Sequence, residues 1–311
     1  MRALEKLQAV VVALMFSGAG LAQTAQQNAP VKTANSGTSC PVRSVLLNFD
    51  IYRRGELVGG LPVYHLRGDS AFFFSAGMAI DADGAPNAYN AENSGLDDLS
   101  NAGEPGHWDG VLQDRDGNPL IQGPDDPFPG YYISCTALAD WTKDRLDPTR
   151  FVDASKIPYI ALPGDLARQT GARLGDLTAV YNMRNGKYSY AIFADIGALG
   201  EGSIALADDL GLWPDARRGG TWGGIVYVVF PGSGNHRPKT LGEINALTGD
   251  LFQSWGGPGE IPLCADAETW RRMWSQGNPW WGARYTQPAK AAEPASNSGA
   301  ATGANSNATT N

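Results

Sequence analysis

Two carboxylate residues stand close together in one glycine-rich stretch of the sequence. Asp195 ends an alternating, strand-like run, and Glu201 follows it six positions later. The glycines of this stretch are Gly197, Gly200 and Gly202. Glycine allows the sharp backbone turn that would bring Glu201 back toward Asp195. Glycoside hydrolysis needs one carboxylic acid to protonate the leaving oxygen and one carboxylate as base or nucleophile, about 6.5–9.5 Å apart for inversion or about 5 Å apart for retention. The spacing in the sequence is compatible with either distance.

A structural role for the same two residues is the alternative. Asp195 would then cap a turn by bonding nearby backbone, and Glu201 would be a solvated loop residue. Acidic residues are common in glycine-rich loops, so that spacing alone favours this structural interpretation.

A second acidic pair lies at the end of another predicted strand. Asp81 and Asp83 follow the apolar run Ala71–Ile80 and precede Gly84-Ala85-Pro86, where the chain is expected to turn. Residues two apart in an extended segment share a face, so that both carboxylates would leave the same side. If that face lines the cleft, we predict that both bind substrate. The alternative is that they build the turn by accepting hydrogen bonds from their own backbone.

The histidines and cysteines do not suggest a metal site. The three histidines are His65, His107 and His236. They lie far apart and lack HExxH or another ligand spacing. The three cysteines allow one disulfide with one thiol left over. Cys40 and Cys264 lie at the two ends of the domain and could join them, whereas Cys135 lies in an apolar run and is expected to be buried and reduced. We therefore expect neither a metal ion nor a cofactor.

The remaining sequence indicates a mainly β domain with few helices. Short apolar or alternating runs bounded by Gly, Pro, Asn or Asp predict strands at Val45–Asn48, Ala71–Ile80, Tyr131–Thr136, Tyr159–Leu162, Thr178–Met183, Tyr188–Asp195 and Ile225–Phe230. Asn185-Gly186 between two of these runs predicts a β-hairpin. Helical periodicity predicts helices at Leu206–Leu210, Leu241–Trp255 and Ala267–Trp274.

Composition divides the chain into four parts. Residues 1–22 have a basic start, an apolar run and small residues up to Ala22, the pattern of a secretory signal peptide cleaved at that point. Residues 23–39 and 286–311 offer almost nothing to bury, and we expect a disordered linker and a disordered tail. Residues 40–285 are predicted to form a single catalytic domain, and the mature protein is expected to be a secreted monomer, extracellular or periplasmic.

The charge of the chain argues against two kinds of partner. The formal net charge is −8 at pH 7, which repels nucleic acid phosphates and anionic membrane surfaces. The N-terminal apolar run is also shorter than the roughly 20 residues of a membrane-spanning helix. We therefore expect no nucleic acid and no membrane partner, and a neutral or cationic ligand fits better. The alternative, which charge alone favours, is that the acidity only keeps a secreted protein soluble.

Several stretches of the sequence resemble motifs of one carbohydrate-active family. Asp195-Ile196-Gly197 followed by Gly200-Glu201-Gly202-Ser203-Ile204-Ala205-Leu206-Ala207 resembles the motif in which the fungal-type chitosanases of glycoside hydrolase family 75 carry a catalytic aspartate and glutamate. Other similar stretches are Met78–Pro86, Ile157–Gly164, Leu174–Asp176 and Tyr227–Gly234. The resemblance extends over about residues 45–255. The loop between the two carboxylates is shorter than in the fungal members, which makes Asp208 and Asp209 alternative candidates for the acid.

The resemblance implies an activity and a substrate. It implies inverting endo-hydrolysis of the β-1,4-linked glucosamine polymer chitosan without a cofactor, Glu201 being the general acid and Asp195 the base that activates water. Asp81 and Asp83 would then meet the ammonium groups of glucosamine in charge-assisted contacts that N-acetylated sugar lacks.

The segment from Asp195 to Gly211 also resembles the core of double-psi β-barrels. We therefore predict a mainly β chain with a six-stranded double-psi β-barrel, long loops and a few peripheral helices. That fold houses family 45 glucanases, expansins and some lytic transglycosylases, and a fold alone does not choose among activities. The alternatives are a lytic transglycosylase or other cell-wall polysaccharide enzyme, and a non-catalytic expansin-like wall-binding module.

Overall fold

The computed structural model of the chain describes residues 43–53, 56–66 and 69–264. The predicted signal peptide (1–22), linker (23–39) and tail (286–311) lie outside the described residues, and so does the predicted helix Ala267–Trp274. Of the predicted domain, residues 40–285, the description therefore ends at residue 264.

Strands dominate the described residues. In chain order they are β1 (Arg43–Arg53), β2 (Glu56–Leu66), β3 (Phe72–Asp81), β4 (Gly103–Glu104), β5 (His107–Trp108), β6 (Tyr159–Leu162), β7 (Leu177–Asn182), β8 (Tyr188–Ile196), β9 (Glu201–Ser203) and β10 (Thr221–Phe230). The α-helices are α1 (Gly164–Thr170), α2 (Ile204–Asp209), α3 (Leu241–Trp255) and the short α4 (Ile261–Cys264). Short turns of 3-10 helix cover Leu99–Asn101, Pro148–Arg150 and Gly257–Gly259.

Six of the strands close into a barrel of mixed parallel and antiparallel pairs. The order around the barrel is β3-β10-β7-β8-β6-β9, and β9 pairs with β3 to close the ring. The pairs β6–β8 and β3–β9 are parallel. The hairpin of β1 and β2 continues the sheet beside β3, outside the ring. The predicted fold class, a mainly β chain with a six-stranded barrel, long loops and few helices, is confirmed.

The barrel contains one arrangement twice. β3, β6 and β7 of the first half correspond to β8, β9 and β10 of the second, and exchanging the halves reproduces every pairing in the ring. The helices follow the same rule, since α1 comes after β6 and α2 after β9. Each of these helices buries a Leu-Ala pair, Leu166-Ala167 or Leu206-Ala207. A glycine with positive φ follows each helix, at Gly171 and Gly211. So few residues match that the sequence shows no repeat.

Alternation along the strands builds a core inside the barrel and a second one outside it. Phe72, Phe74 and Met78 of β3 belong to the main core. Phe73 belongs to the second core, which lies under α3 and includes Trp255. The two rings of that pair meet edge to face with their centroids 5.7 Å apart. One outer side of the barrel is therefore covered by α3.

The best-predicted elements carry strong local signals. The predicted helix Leu241–Trp255 matches α3 at both ends, and Thr240 and Glu243 begin it with a capping box. The predicted hairpin is present, because β7 and β8 are antiparallel neighbours joined across Asn185-Gly186. β2, β9 and α1 were not predicted. Gly59-Gly60 inside β2 suggests a turn in the sequence but lies within the strand.

The predicted strand Tyr131–Thr136 is wrong. This segment makes isolated bridges, including those to Val111 and Ile121, instead of a continuous ladder. It belongs to the long irregular segment between β3 and β6. Its apolar pattern reflects burial of Ile133, which is 3% exposed, without a strand partner along its length.

The cysteines agree in part with the sequence. Cys264 is disulfide-bonded, and its predicted partner Cys40 lies outside the described residues. Cys135 carries a free thiol, as predicted, but it is half-buried rather than fully buried. Among the helices of the described residues, none has the length and apolar character needed to span a bilayer.

Candidate active site

Three aspartates singled out in the sequence meet at one place. Asp81, Asp83 and Asp195 each present a carboxylate oxygen, and these oxygens lie within 4.8 Å of one another. We call them the aspartate cluster. Asp81 ends β3, and Asp195 lies near the end of β8, the strand that corresponds to β3 in the other half of the barrel. The structure therefore brings the Asp81 and Asp83 pair to Asp195, whereas Glu201 is not a member of the cluster.

The chain passes over β6 after β3 ends, and this brings Asp83 toward Asp195. The hydroxyl of Tyr159, on β6, donates to the backbone carbonyl of Asp83 at 3.0 Å. Asp81 Oδ1 accepts a hydrogen bond from the N–H of Asp83 at 2.8 Å. The local turn considered in the sequence is thus built by the Asp81 side chain, whereas the Asp83 carboxylate takes no part in that bond.

The carboxylate of Asp83 is bound by a tyrosine and lies close to the backbone of Gly110. The hydroxyl of Tyr89 donates to Asp83 Oδ1 at 2.6 Å and also lies 3.4 Å from Asp97 Oδ2. Tyr89 is 1% exposed, so that water does not compete for this bond. A Cβ atom at Gly110 would lie 2.7 Å from Asp83 Oδ1. Glycine is therefore needed at position 110 to make room for the carboxylate.

A β-bulge precedes Asp195. The register of β8 on β6 shifts by one residue at Ala194. Bulges beside functional sites redirect the next side chain. Asp195 Oδ1 accepts hydrogen bonds from the N–H groups of Ala137 at 2.9 Å and Ile196 at 2.8 Å. Asp195 is only 9% exposed, so that these two bonds fix a largely buried carboxylate.

Burial and mutual repulsion raise two carboxyl pKa values in the cluster. For Asp195, burial raises the pKa most and the charge of Asp81 next, the N–H donors lower it, and the charge of Glu201 raises it further. For Asp83, burial again comes first, followed by the charges of Asp81 and Asp195, against which the bond from Tyr89 acts. The cluster therefore retains a proton at a pH where ordinary carboxyl groups have lost theirs.

Glu201 is turned back toward the loop that precedes it. The N–H of Ala198 donates to Glu201 Oε2 at 2.6 Å. A Cβ atom at Gly197 would collide with the same carboxylate oxygen. Gly200, with a φ of 84°, makes the turn between them. Gly197 and Gly200 thus allow the sharp backbone turn that was expected of this loop.

Asp195 and Glu201 are separated by one residue of a third strand. Ala161 of β6 is in register with Asp195 on one side and with Glu201 on the other. Residues in register on neighbouring strands face the same side, and two strand spacings place the two Cα atoms at most about 10 Å apart. Both carboxylates therefore belong to one surface.

The alternative acids lie away from this surface. Asp208 is exposed on α2. Asp209 Oδ2 accepts a hydrogen bond from the Ser189 hydroxyl at 2.6 Å, near the other end of β8. Neither belongs to the group of carboxylates that meet at the aspartate cluster.

The aspartate cluster can neutralise its charge in two ways. Carboxylates this close can share a proton, as acid–base catalysts do. Three carboxylate oxygens also suit a hard divalent cation such as Mg²⁺ or Ca²⁺. The second arrangement was not predicted from the sequence, because Asp195 lies more than 100 positions after Asp81 and Asp83 and the three lack the spacing of a metal motif.

Three contributors to the site escaped sequence analysis. Tyr89, Tyr159 and the N–H of Ala137 bind members of the cluster from the long segment between β3 and β6 and from β6 itself. Ala137 lies 58 positions from Asp195, and no pattern in the sequence links the two. The sequence around Tyr89 also gives no indication of a role in the site, because a buried tyrosine is usually a core residue.

No family model matches the chain, and no curated protein sequence matches it either.

Proposed function

We propose that the protein is a secreted endo-chitosanase that hydrolyses β-1,4-glucosamine linkages with inversion. Glu201 is the general acid and Asp195 the general base. The observation that carries the proposal is the placement of Asp195 and Glu201 on one surface, with Ala161 between them. A Cα separation of at most about 10 Å is compatible with carboxyl groups about 6.5–9.5 Å apart, the range in which a water molecule fits for inversion.

The proposed reaction uses proton transfer alone. The Glu201 carboxyl group gives its proton to the glycosidic oxygen as the bond to the anomeric carbon breaks. The Asp195 carboxylate takes a proton from the water that attacks the opposite side of that carbon. The products are two shorter chains, and the two carboxyl groups exchange protons with solvent before the next cycle. The Ala198 N–H orients the Glu201 carboxyl group for its part.

The aspartate cluster supports a cationic substrate. An ammonium group of glucosamine bound there offsets the repulsion that Asp81 exerts on Asp195 and so lowers the pKa of Asp195. Substrate binding would thereby convert Asp195 to the ionised form that a base requires. N-acetylated sugar, which is neutral, would not do so.

Two features of the sequence agree with this proposal. The motif around Asp195 and Glu201 resembles that of the family 75 chitosanases, and the N-terminal segment resembles a signal peptide for export to where such polymers occur. N-terminal sequencing of the protein released by an expressing cell tests the second point, since the mature chain should begin at Gln23. A chain that keeps Met1 and stays inside the cell would contradict it.

A lytic transglycosylase is the second candidate, favoured by the raised pKa of Asp195. A transglycosylase needs one essential carboxyl group, which gives a proton to the leaving oxygen, and a buried carboxyl with a raised pKa is suited to donating one. In that case Asp195 would be the acid, and Glu201 would be dispensable.

Product analysis separates these activities. The purified protein is incubated with chitosan, chitin, cellulose and peptidoglycan, each with and without EDTA, and the masses of the products are measured by mass spectrometry. We expect glucosamine oligosaccharides that have gained water, from chitosan, in both conditions. Peptidoglycan fragments that lack that water would indicate the transglycosylase. Binding without products from any polymer would indicate a wall-binding module, and loss of activity in EDTA would contradict a reaction by proton transfer alone. The doubly substituted Asp195→Asn, Glu201→Gln protein is the control.

A further inference from the structure

An exposed tryptophan lies in a bulge of β10 beside the proposed active site. Thr221 of β10 pairs with Met78 of β3, but the next pair is Ile225 with Ala76, so that residues 222–224 face a single residue of β3. The extra residues form a bulge, and Trp222 within it is 49% exposed. Bulges of this kind next to a site redirect a side chain or end the pairing.

The bulge lies on the same strand surface as the proposed acid. A Cβ atom at Gly77 would lie 2.6 Å from the carbonyl oxygen of Thr221 and 3.0 Å from that of Trp222, so that the bulge covers Gly77 closely. On its other edge β3 pairs with β9, where Ala79 is in register with Glu201. Trp222 and Glu201 therefore flank one strand, and two strand spacings across it combined with about two residues along it place them roughly 12 Å apart.

The floor between the two residues is made of small side chains. Gly77 and Ala79 are partly exposed on β3, and Asp81 follows them on the same face. A surface with an aromatic ring on one side, small residues beneath and carboxylates on the other side fits a chain of amino sugars. The apolar face of a sugar ring stacks on tryptophan, and its ammonium groups meet the carboxylates.

We propose that Trp222 binds a glucosamine ring of the substrate next to the ring whose linkage Glu201 protonates. This inference rests on the proposed function and assigns the direction in which the polymer lies, across β3 from Glu201 toward β10. Trp222 acts by binding only and takes no part in proton transfer.

Steady-state kinetics on chitosan test the assignment. Trp222→Ala should raise KM by about three- to tenfold, the effect of losing one stacked ring, while kcat changes less than twofold. Trp222→Phe should restore most of the loss, because it keeps an aromatic face. Trp141→Ala is the matched control. Trp141 is 75% exposed, and the guanidinium carbon of Arg150 lies 4.7 Å from the centroid of its ring. We expect the KM of the Trp141→Ala protein to equal that of the wild type.

Two outcomes would overturn the inference. An unchanged KM in Trp222→Ala would show that the ring is not in contact with substrate, and an equal rise in Trp141→Ala would show a general effect of removing surface tryptophan. Titration of the Asp195→Asn protein with a glucosamine hexamer repeats the comparison without turnover, and Trp222→Ala in that background should weaken binding by the same factor. Absence of wild-type hydrolysis would instead count against the proposed function, so that the two failures are distinguishable.

Discussion

Asp195 and Glu201 face the same side of the barrel from the two strands that flank Ala161. The short loop between them in sequence is therefore not what sets their separation. β6 sets it, because the strand is inserted between the two carboxylates and holds each by backbone pairing. Shortening the loop within limits would leave the distance between them nearly unchanged.

Removal of either carboxylate should abolish most of the turnover. We expect Asp195→Asn and Glu201→Gln each to lower kcat on chitosan by at least about 10²-fold, because each removes a proton-transfer role. Asp208→Asn, an exposed residue of α2, is the charge-matched control and should retain normal turnover. Circular dichroism and the melting temperature check that the variants are folded. Near-normal kcat in either variant would exclude that residue from the reaction.

The pH dependence of kcat/KM should report the pKa of Asp195. Its pKa is raised, and a base must be ionised, so that kcat/KM should fall as the pH drops through this raised value. Asp81→Asn removes the second-largest cause of the shift. We expect the acid limb of the profile to move to lower pH in that variant, whether or not the maximum value of kcat/KM changes. Movement of the alkaline limb instead would identify Asp195 as the acid and favour the transglycosylase.

Asp83 should lower the free energy of unfolding at neutral pH, because its carboxyl group is harder to ionise in the folded protein than in the unfolded one. Its folded pKa is raised above the unfolded value, so that the stability it contributes is fully present below the unfolded pKa and is lost as the pH rises through the folded one. Asp83→Asn cannot ionise, and its Oδ1 can still accept from Tyr89. We expect a melting temperature higher by roughly 2–4 °C at pH 7.5, about 1 kcal/mol, and a flatter dependence on pH.

The comparison for this variant is Asp116→Asn, which neutralises an exposed loop residue. Its melting temperature should follow that of the wild type across the pH range. A lower melting temperature for Asp83→Asn at pH 7.5 would mean that the ionised carboxylate is needed by the fold.

Ser203 connects β9, the strand that begins with Glu201, to the rest of the barrel. Its hydroxyl accepts from the N–H groups of Tyr159 at 3.0 Å and Leu206 at 3.2 Å and donates to the carbonyl of Ile157 at 2.9 Å. Ser203 is 0% exposed. Ser203→Ala leaves these buried groups without that partner and removes the cap of α2, which should cost about 2–3 kcal/mol and lower the melting temperature by roughly 5–10 °C.

Thermal unfolding of Ser203→Ala beside Ser155→Ala checks this expectation. Ser155 is exposed and its hydroxyl donates to the nearby Asp153 carboxylate, so that its loss should change the melting temperature by little. Equal effects of the two substitutions would show that the Ser203 bonds contribute nothing measurable.

The sequence predicted the elements whose signals are local. The hairpin at Asn185-Gly186 and the capped helix after Thr240 need no distant partner to be recognised. The alternating run before Asp195 predicted the strand β8, but the bulge at Ala194 determines the face on which Asp195 lies. β9 was not predicted, because it has only three residues and pairs with β3 and β6, which lie far away in the chain.

The site was predictable as a set of residues but not as an arrangement. Asp81 and Asp83 stand out in the sequence at the end of an apolar run, yet only the passage of the chain over Tyr159 brings them to Asp195. The irregular segment between β3 and β6 has no period, so its contacts with the site, such as that of Ala137, could not be deduced.

The order of strands around the barrel also determines when the protein can fold during synthesis. β3 has both of its ring partners, β9 and β10, near the end of the barrel sequence, and the bond from the Tyr227 hydroxyl to the Gly77 carbonyl spans 150 positions. Phe72, Phe74 and Met78 therefore leave the ribosome long before the strands that cover them exist. Chains with such distant contacts fold slowly and expose apolar surface meanwhile. The growing chain should accordingly depend on a holding chaperone, and its barrel should close only after translation has passed β10.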